Sequence, residues 1–405
     1  MAHGPHEVQG YPISVDIAAP RAPPPSTVTA SVQSGCRVFL TKVWPTFVHS
    51  LGADKLELQF SNFATCLKCD WFGVCLFLSP PPGMMAEVPT VEAEVAVRLE
   101  AGLGEGSLWD SRSKKLLWLD ILGAKLFRFD PSTGQNEEFD LSSHSTAVSS
   151  VVPIAEDASG DTVALTTREG FAVYNFRSQQ LDLLGVPEPG VKEGERFNDG
   201  KVDPLGCYWA GTLCRDASEE IVPKAAKLYR RSGDGAVKMV MEELSISNGL
   251  VWSKDGQTMY YIDTPSAQID AMDFTAGEVS NRRAVVKGFD FETTGFPDGC
   301  AIDLEDRLWV ARFNGGACGC YDPKTGKMLA EVRVPKEAGR QVTSAAFGGE
   351  DLQDLYLTTA REGFDEAKGK DFPLAGSLFV VPAAKLQEIC PGVRGQPPNH
   401  LKLSS

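Results

Sequence analysis

A module of two short strands around a polar turn recurs six times between residues 106 and 359, and a repeat of this kind decides what the chain can fold into. The copies are residues 106–120 (GSLWDSRSKKLLWLD), 147–167 (AVSSVVPIAEDASGDTVALTT), 200–212 (GKVDPLGCYWAGT), 249–263 (GLVWSKDGQTMYYID), 299–311 (GCAIDLEDRLWVA) and 343–359 (TSAAFGGEDLQDLYLTT). They return at roughly 40 to 50 residue intervals, the length of a propeller blade. Most are followed by a further strand pattern, as at 125–130 (KLFRFD), 268–274 (QIDAMDF) and 377–382 (SLFVVP). Four short strands per repeat and no convincing amphipathic helix predict an all-β fold, a six-bladed β-propeller. One strand pattern, residues 93–100 (AEVAVRLE), precedes the first copy. It is expected to pair into the last blade and close the ring, which removes exposed sheet edges.

The propeller does not use the whole chain of 405 residues. Residues 1–83 hold ten prolines, five basic and five acidic side chains, spaced so that no strand pattern of useful length repeats. Residues 1–88 are therefore expected to be a poorly ordered or non-native extension, with Met84 and Met85 as a candidate native start. The propeller is expected over 89–392 and a flexible C-terminal tail over 393–405. The extension lacks a basic segment followed by an apolar one, and it is not Arg-rich and acid-poor, so neither a secretory signal nor a transit peptide is read from it. Its Cys66, Cys69 and Cys75 form one CxxC with a neighbour, short of the four ligands of a closed zinc site. Cys207, Cys214, Cys300, Cys318, Cys320 and Cys390 lie among apolar strand residues, which fits reduced thiols and a cytoplasmic protein.

Composition removes several function classes. A formal charge of -15 and a sequence pI near 4.9 argue against a nucleic-acid surface. No apolar stretch approaches the roughly 18 to 20 residues that cross a bilayer. The five histidines are His3, His6, His49, His144 and His400, and only His144 lies within the repeats. A His-based triad or a three-His zinc site is thus excluded by supply.

Polar residues recur just before the first strand of four modules: Glu105 in LGEGSLWD, Asn198 in RFNDGKVD, Asn248 in ISNGLVW and Asp298 in FPDGCAID. The first strand of a propeller blade lines the central channel, so these residues are expected to converge at one mouth. Asn-Gly and Asp-Gly are also common turn sequences. The shared phase, ahead of the strand pair instead of within it, favours a site, and Glu105 is no turn former. An all-oxygen set with two carboxylates suits a hard divalent cation such as Ca²⁺, Mg²⁺ or Mn²⁺, with Zn²⁺ less favoured.

The strings LGEGSLWD, RFNDGKVDPLGCYWAGT, ISNGLVWSKDGQTMYYID, VSNRR over 279–283, FPDGCAIDLEDRLWVARFNGG and REGF resemble the SMP-30/gluconolactonase family over residues 94–382. That resemblance implies a six-bladed propeller that hydrolyses sugar lactones at a single divalent metal. It implies Glu105, Asn248 and Asp298 as metal ligands, and Arg196 and Asn198 as sugar contacts, with Asn198 close to the metal. Asp216 aligns with a substrate-contacting acid that is usually Glu, a departure that bears on which lactone is taken. A bound dication polarises an ester carbonyl, and Asp298 is the expected base for water. Arg196 would hold ring hydroxyls or the emerging carboxylate. The expectation is a monomeric metal-dependent lactonase acting on a small sugar lactone, with no nucleic-acid or membrane partner. The alternative is a calcium-binding regulatory protein built on the same site.

Overall fold

Each copy of the module becomes the inner half of an antiparallel sheet. The inner strands are Gly104–Asp110, Val148–Pro153, Glu195–Val202, Ser247–Trp252, Phe296–Ile302 and Val342–Gly348, which define blades 1 to 6. Each pairs with the next strand of its own module: Lys115–Asp120, Thr162–Thr167, Tyr208–Cys214, Thr258–Asp263, Leu308–Phe313 and Asp354–Thr359. Inner strands touch in chain order, and the sixth returns to the first, so the sheets form a closed six-bladed β-propeller. This computed structural model describes residues 88–403 and, before them, only the strands Thr27–Ser31, Arg37–Thr41, Phe60–Ser61, Ala64–Lys68 and Cys75–Leu78. The first two strands pair with each other, and the last three form a second small sheet. The expected disorder of the extension and the thiols of its CxxC otherwise fall outside the described residues.

The ring closes as the pattern at 93–100 predicts. Glu94–Val97 pairs antiparallel with Leu378–Val381 and supplies the outer strand of blade 6. A second clasp was not legible in sequence: Thr90–Glu92 runs parallel to Met328–Arg333 at the edge of blade 5. Both closing strands lie after residue 87, where the chain divides into two compact units. Deleting residues 1–83 is therefore expected to leave the melting temperature within about 2 °C of the parent by calorimetry. A larger fall would show that the extension supports the propeller.

Blades pack face against face, so the inner strands lose the in-out alternation of a half-exposed strand and are buried almost throughout. A repeated carboxylate fixes the turn at the end of two of them. Asp203 Oδ1 accepts from the backbone of Leu205 and Cys207, while Oδ2 accepts from Trp209 Nε1 at 2.7 Å. Asp303 does the same for Glu305, Arg307 and Trp309. The carboxylate thus joins the turn to a fully buried indole whose N–H would otherwise lack a partner.

The C-terminal segment corrects the sequence reading: residues 393–403 are not a flexible tail. Val393 and Leu401 are fully buried. Arg394 O accepts from Leu304 N, Gln396 N donates to Ile302 O, and Asn399 Nδ2 donates to Val202 O. Leu401 then exchanges backbone hydrogen bonds with Pro153 and Ala155. The segment crosses the ends of the inner strands of blades 5, 3 and 2, on the face opposite their N-terminal ends. There it walls a cavity of about 90 Å³ with Lys201 and Trp252. Val393, Leu401 and Leu403 among prolines and polar residues gave too weak a pattern to announce this. Among the described residues no helix is long and apolar enough to cross a membrane.

Candidate functional site

All six inner strands carry a register shift near their start, at Glu105/Leu108, Val148/Val151, Phe197/Gly200, Ser247/Leu250, Pro297/Cys300 and Val342/Ala345. A bulge adds a residue to one strand and re-aims its side chain. Asn198, Asn248 and Asp298 sit within these bulges and Glu105 at the edge of one. The Asn-Gly and Asp-Gly pairs here are therefore bulge sequences and not hairpin turns. Their glycines permit close approach of neighbouring blades: a Cβ on Gly249 would meet Asp298 O at 2.7 Å, and one on Gly299 would meet Thr343 O at 2.8 Å.

Asn198 and Asn248 touch, and the charge of Glu105 acts on Asp298; all four side chains are at least nine-tenths buried. Asn198 Nδ2 donates to Asn248 Oδ1 at 2.7 Å and to Ser247 O at 2.9 Å. Asn248 Nδ2 donates to Thr264 Oγ1 at 2.7 Å, and Thr264 in turn donates to Pro297 O. This chain orients both amides across blades 3, 4 and 5. Arg196 Nη1 donates to Asn198 Oδ1 at 2.8 Å and to Phe197 O at 2.9 Å, so it joins the cluster as expected.

Asp216 does not join. It is exposed, and its Oδ1 accepts from Ser218 N at 2.8 Å and Glu220 N at 3.1 Å, capping its own turn. A short carboxylate followed by a polar loop closes such a turn readily. Its neighbour Arg215 instead reaches Glu362, with Nη2 2.7 Å from Oε1. Sequence reasoning missed Glu362, although it lies in the REGF string, and also Asp199, which follows Asn198 in the same bulge. Thr264, the anchor of Asn248, carried no signal.

The site is strongly acidic. Burial, and then the neighbouring Asp199, hold the Glu105 carboxyl well above the usual carboxylate range. Burial, then Glu105 and Asp199, do the same to Asp298. Burial pushes Asp199 up to about 6, against the pull of Lys201, whose Nζ is held on Cys300 O at 2.8 Å. Burial lowers Arg196 to about 10. Glu105 receives a 3.1 Å bond from Gly106 N, and Asp298 is bonded by Gly299 N. Carboxylates crowded in this way are relieved by a cation. Among the described residues no group of three or more His, Cys, Asp or Glu stands ready to hold one. Amide oxygens must complete any such set; Asn248 Oδ1, which here accepts from Asn198, is one such donor, and a carboxylate-and-amide set fits a hard dication.

The comparisons agree with this architecture. Residues 103–361 match the model of the SMP-30/Gluconolactonase/LRE-like region. YvrE of Bacillus subtilis (strain 168), whose name assigns it provisionally to the sugar lactone lactonases, is 38% identical over 291 residues, 71% of this chain and 94% of that protein. Regucalcin of Danio rerio is 38% identical over 312 residues, covering 76% of this chain and 98% of that one. The solved structure of a luciferin-regenerating enzyme superposes with a TM-score of 0.65 at 29% identity, over 77% of this chain and all of that one. With a closed ring of six blades and a polar cluster where the inner strands begin, the chain belongs to the SMP-30/gluconolactonase/LRE-like family.

Proposed function

We propose that the protein hydrolyses a sugar lactone to the aldonic acid with the help of one divalent cation. The observation that carries this reading is the convergence of two buried carboxylates, Glu105 and Asp298, with Asn248, Asn198 and the guanidinium of Arg196 at one mouth of the propeller. A protein that only bound a cation would not need Arg196 beside it.

Glu105, Asn248 and Asp298 would hold the cation. When bound, it polarises the lactone carbonyl and offsets the negative charge that develops on its oxygen. Asp298 takes a proton from the attacking water as the new carbon–oxygen bond forms. It returns that proton to the ring oxygen as the ring bond breaks, so the product acid keeps the water's oxygen and the balance closes. Arg196 presents a fork of donors to ring hydroxyls or the carboxylate produced, and its bond to Asn198 fixes that fork. The buried walls limit competing water.

The test is a screen of aldonolactones with metal-free protein and with Ca²⁺, Mg²⁺, Mn²⁺ or Zn²⁺ restored, following acid release. Hydrolysis that appears only on adding a cation supports the proposal. Tight cation binding with no turnover of any lactone would overturn it in favour of a calcium-binding regulatory protein.

A further inference from the structure

The ion pair between Arg215 and Glu362 joins parts of the chain 147 residues apart. Arg215 follows the second strand of blade 3, Tyr208–Cys214, and Glu362 follows that of blade 6, Asp354–Thr359. Second strands run antiparallel to the inner ones, so their C-terminal ends lie on the face where the inner strands begin, the face of the candidate site. In a ring of six, blades 3 and 6 are opposite each other. The pair therefore crosses the mouth along a diameter. Both side chains are 28% exposed. Glu362 lies close enough for its charge to act on Arg196, Glu105 and Asp298, and that of Arg215 acts on Arg196. Each partner is also braced on its own side: Arg215 Nη1 donates to Glu219 O at 2.7 Å, and Glu362 O accepts from Gln341 Nε2 at 2.9 Å.

We propose that Arg215 and Glu362 form a gate over the site, a bar between opposite blades that must part before a sugar lactone enters, so that the pair sets the rate of entry and the size of lactone admitted. The inference deepens the lactonase reading and rests on it for the identity of what passes. A partly exposed ion pair is weak enough to open on the time scale of a loop and strong enough to bias the closed state. Opening costs the pair one hydrogen-bonded contact: the Glu362 side chain swings from a backbone that Gln341 still holds, while the Arg215 guanidinium stays on Glu219 O, so the blades that carry them stay folded.

The experiment reads access directly, without lactone or metal. A thiol is introduced beneath the bar by Asn248→Cys, and its alkylation is followed by peptide mass spectrometry in the full chain. Two neutral reagents are compared, small iodoacetamide and a bulky aryl maleimide. The ratio of the two rates cancels the thiolate fraction. Arg215→Met and Glu362→Gln are each expected to raise the bulky-to-small ratio by about two- to five-fold, the range a partly exposed pair can supply, and the double variant to add little more. The charge-swapped pair Arg215→Glu with Glu362→Arg is expected to return the ratio toward the parent. If the residues acted only through their fields, the ratio would not change, and the separate rates would move in opposite directions because the two substitutions change local charge with opposite sign. That result overturns the gate. Should Asn248→Cys fail to fold, Thr264→Cys places the thiol one contact away and is read in the same way. An unchanged ratio in an active lactonase removes the gate alone. A raised ratio in a protein that hydrolyses no lactone leaves the gate and removes the lactonase reading.

Discussion

Asp298→Asn is expected to abolish most turnover without weakening the fold. The substitution keeps an oxygen donor of similar size on the blade 5 bulge and removes the group that exchanges a proton with water. General acid–base assistance contributes about 10²- to 10⁴-fold, and a loss of kcat in that range is expected at saturating cation, with lactone still bound. Stability separates this outcome from simple damage. Burial and the neighbouring Glu105 and Asp199 already favour the uncharged form of Asp298 in the metal-free protein, so a neutral amide suits that environment. The melting temperature of metal-free Asp298→Asn is expected to equal or exceed that of the parent. A variant shown by calorimetry to be cation-loaded, yet hydrolysing lactone at the parental rate, would move the base to another group.

Cation removal is expected to reverse the dependence of stability on pH. In the metal-free protein Glu105, Asp199 and Asp298 all have carboxyl groups raised above their unfolded values. Groups raised in this direction contribute stability that is fully present below the unfolded value and lost as pH rises through the folded one. Asp199, moved from 3.8 to about 6, accounts for a loss on the order of 3 kcal/mol across that window. Metal-free protein is therefore expected to melt at progressively lower temperature from pH 4 to pH 6. A bound dication favours the charged carboxylates and releases their protons, so its stabilisation, about 3 kcal/mol wherever it stands at a hundredfold excess over Kd, should grow at fixed cation concentration as pH rises through the same range. Scanning calorimetry in chelator and in Ca²⁺ checks both limbs. Parallel curves would mean that these carboxylates do not meet the cation.

The four residues of the candidate site were noticed because their signal is one of phase. Glu105, Asn198, Asn248 and Asp298 stand at the same point of successive modules, and a propeller turns equal phase into a common location. Why Asn-Gly and Asp-Gly occur there was not legible. The dipeptide serves a hairpin turn as well as a bulge, and only the close approach of Thr343 O to Gly299 and of Asp298 O to Gly249 shows which need it meets. Asp216 shows the converse limit. Alignment with a family pattern places a residue type at a position along the chain, but a turn with free N–H groups at Ser218 and Glu220 captures the carboxylate first.

The sequence by itself determined the number of modules, their strand grammar, the closing strand at 93–100 and the acidic character of one mouth. Each follows from local patterning: residues within a few positions of one another decide strand, turn and facing. Only the tertiary structure decided the contacts that need the ring to be closed. The bar from Arg215 to Glu362, the parallel clasp of Thr90–Glu92 on blade 5 and the burial of Leu401 beneath blade 2 join segments separated by 147 residues or more. No period in the chain encodes such a meeting. Two loops with unremarkable sequences become partners because six sheets, each packed on the next, bring their ends to opposite sides of a channel narrow enough for two side chains to span.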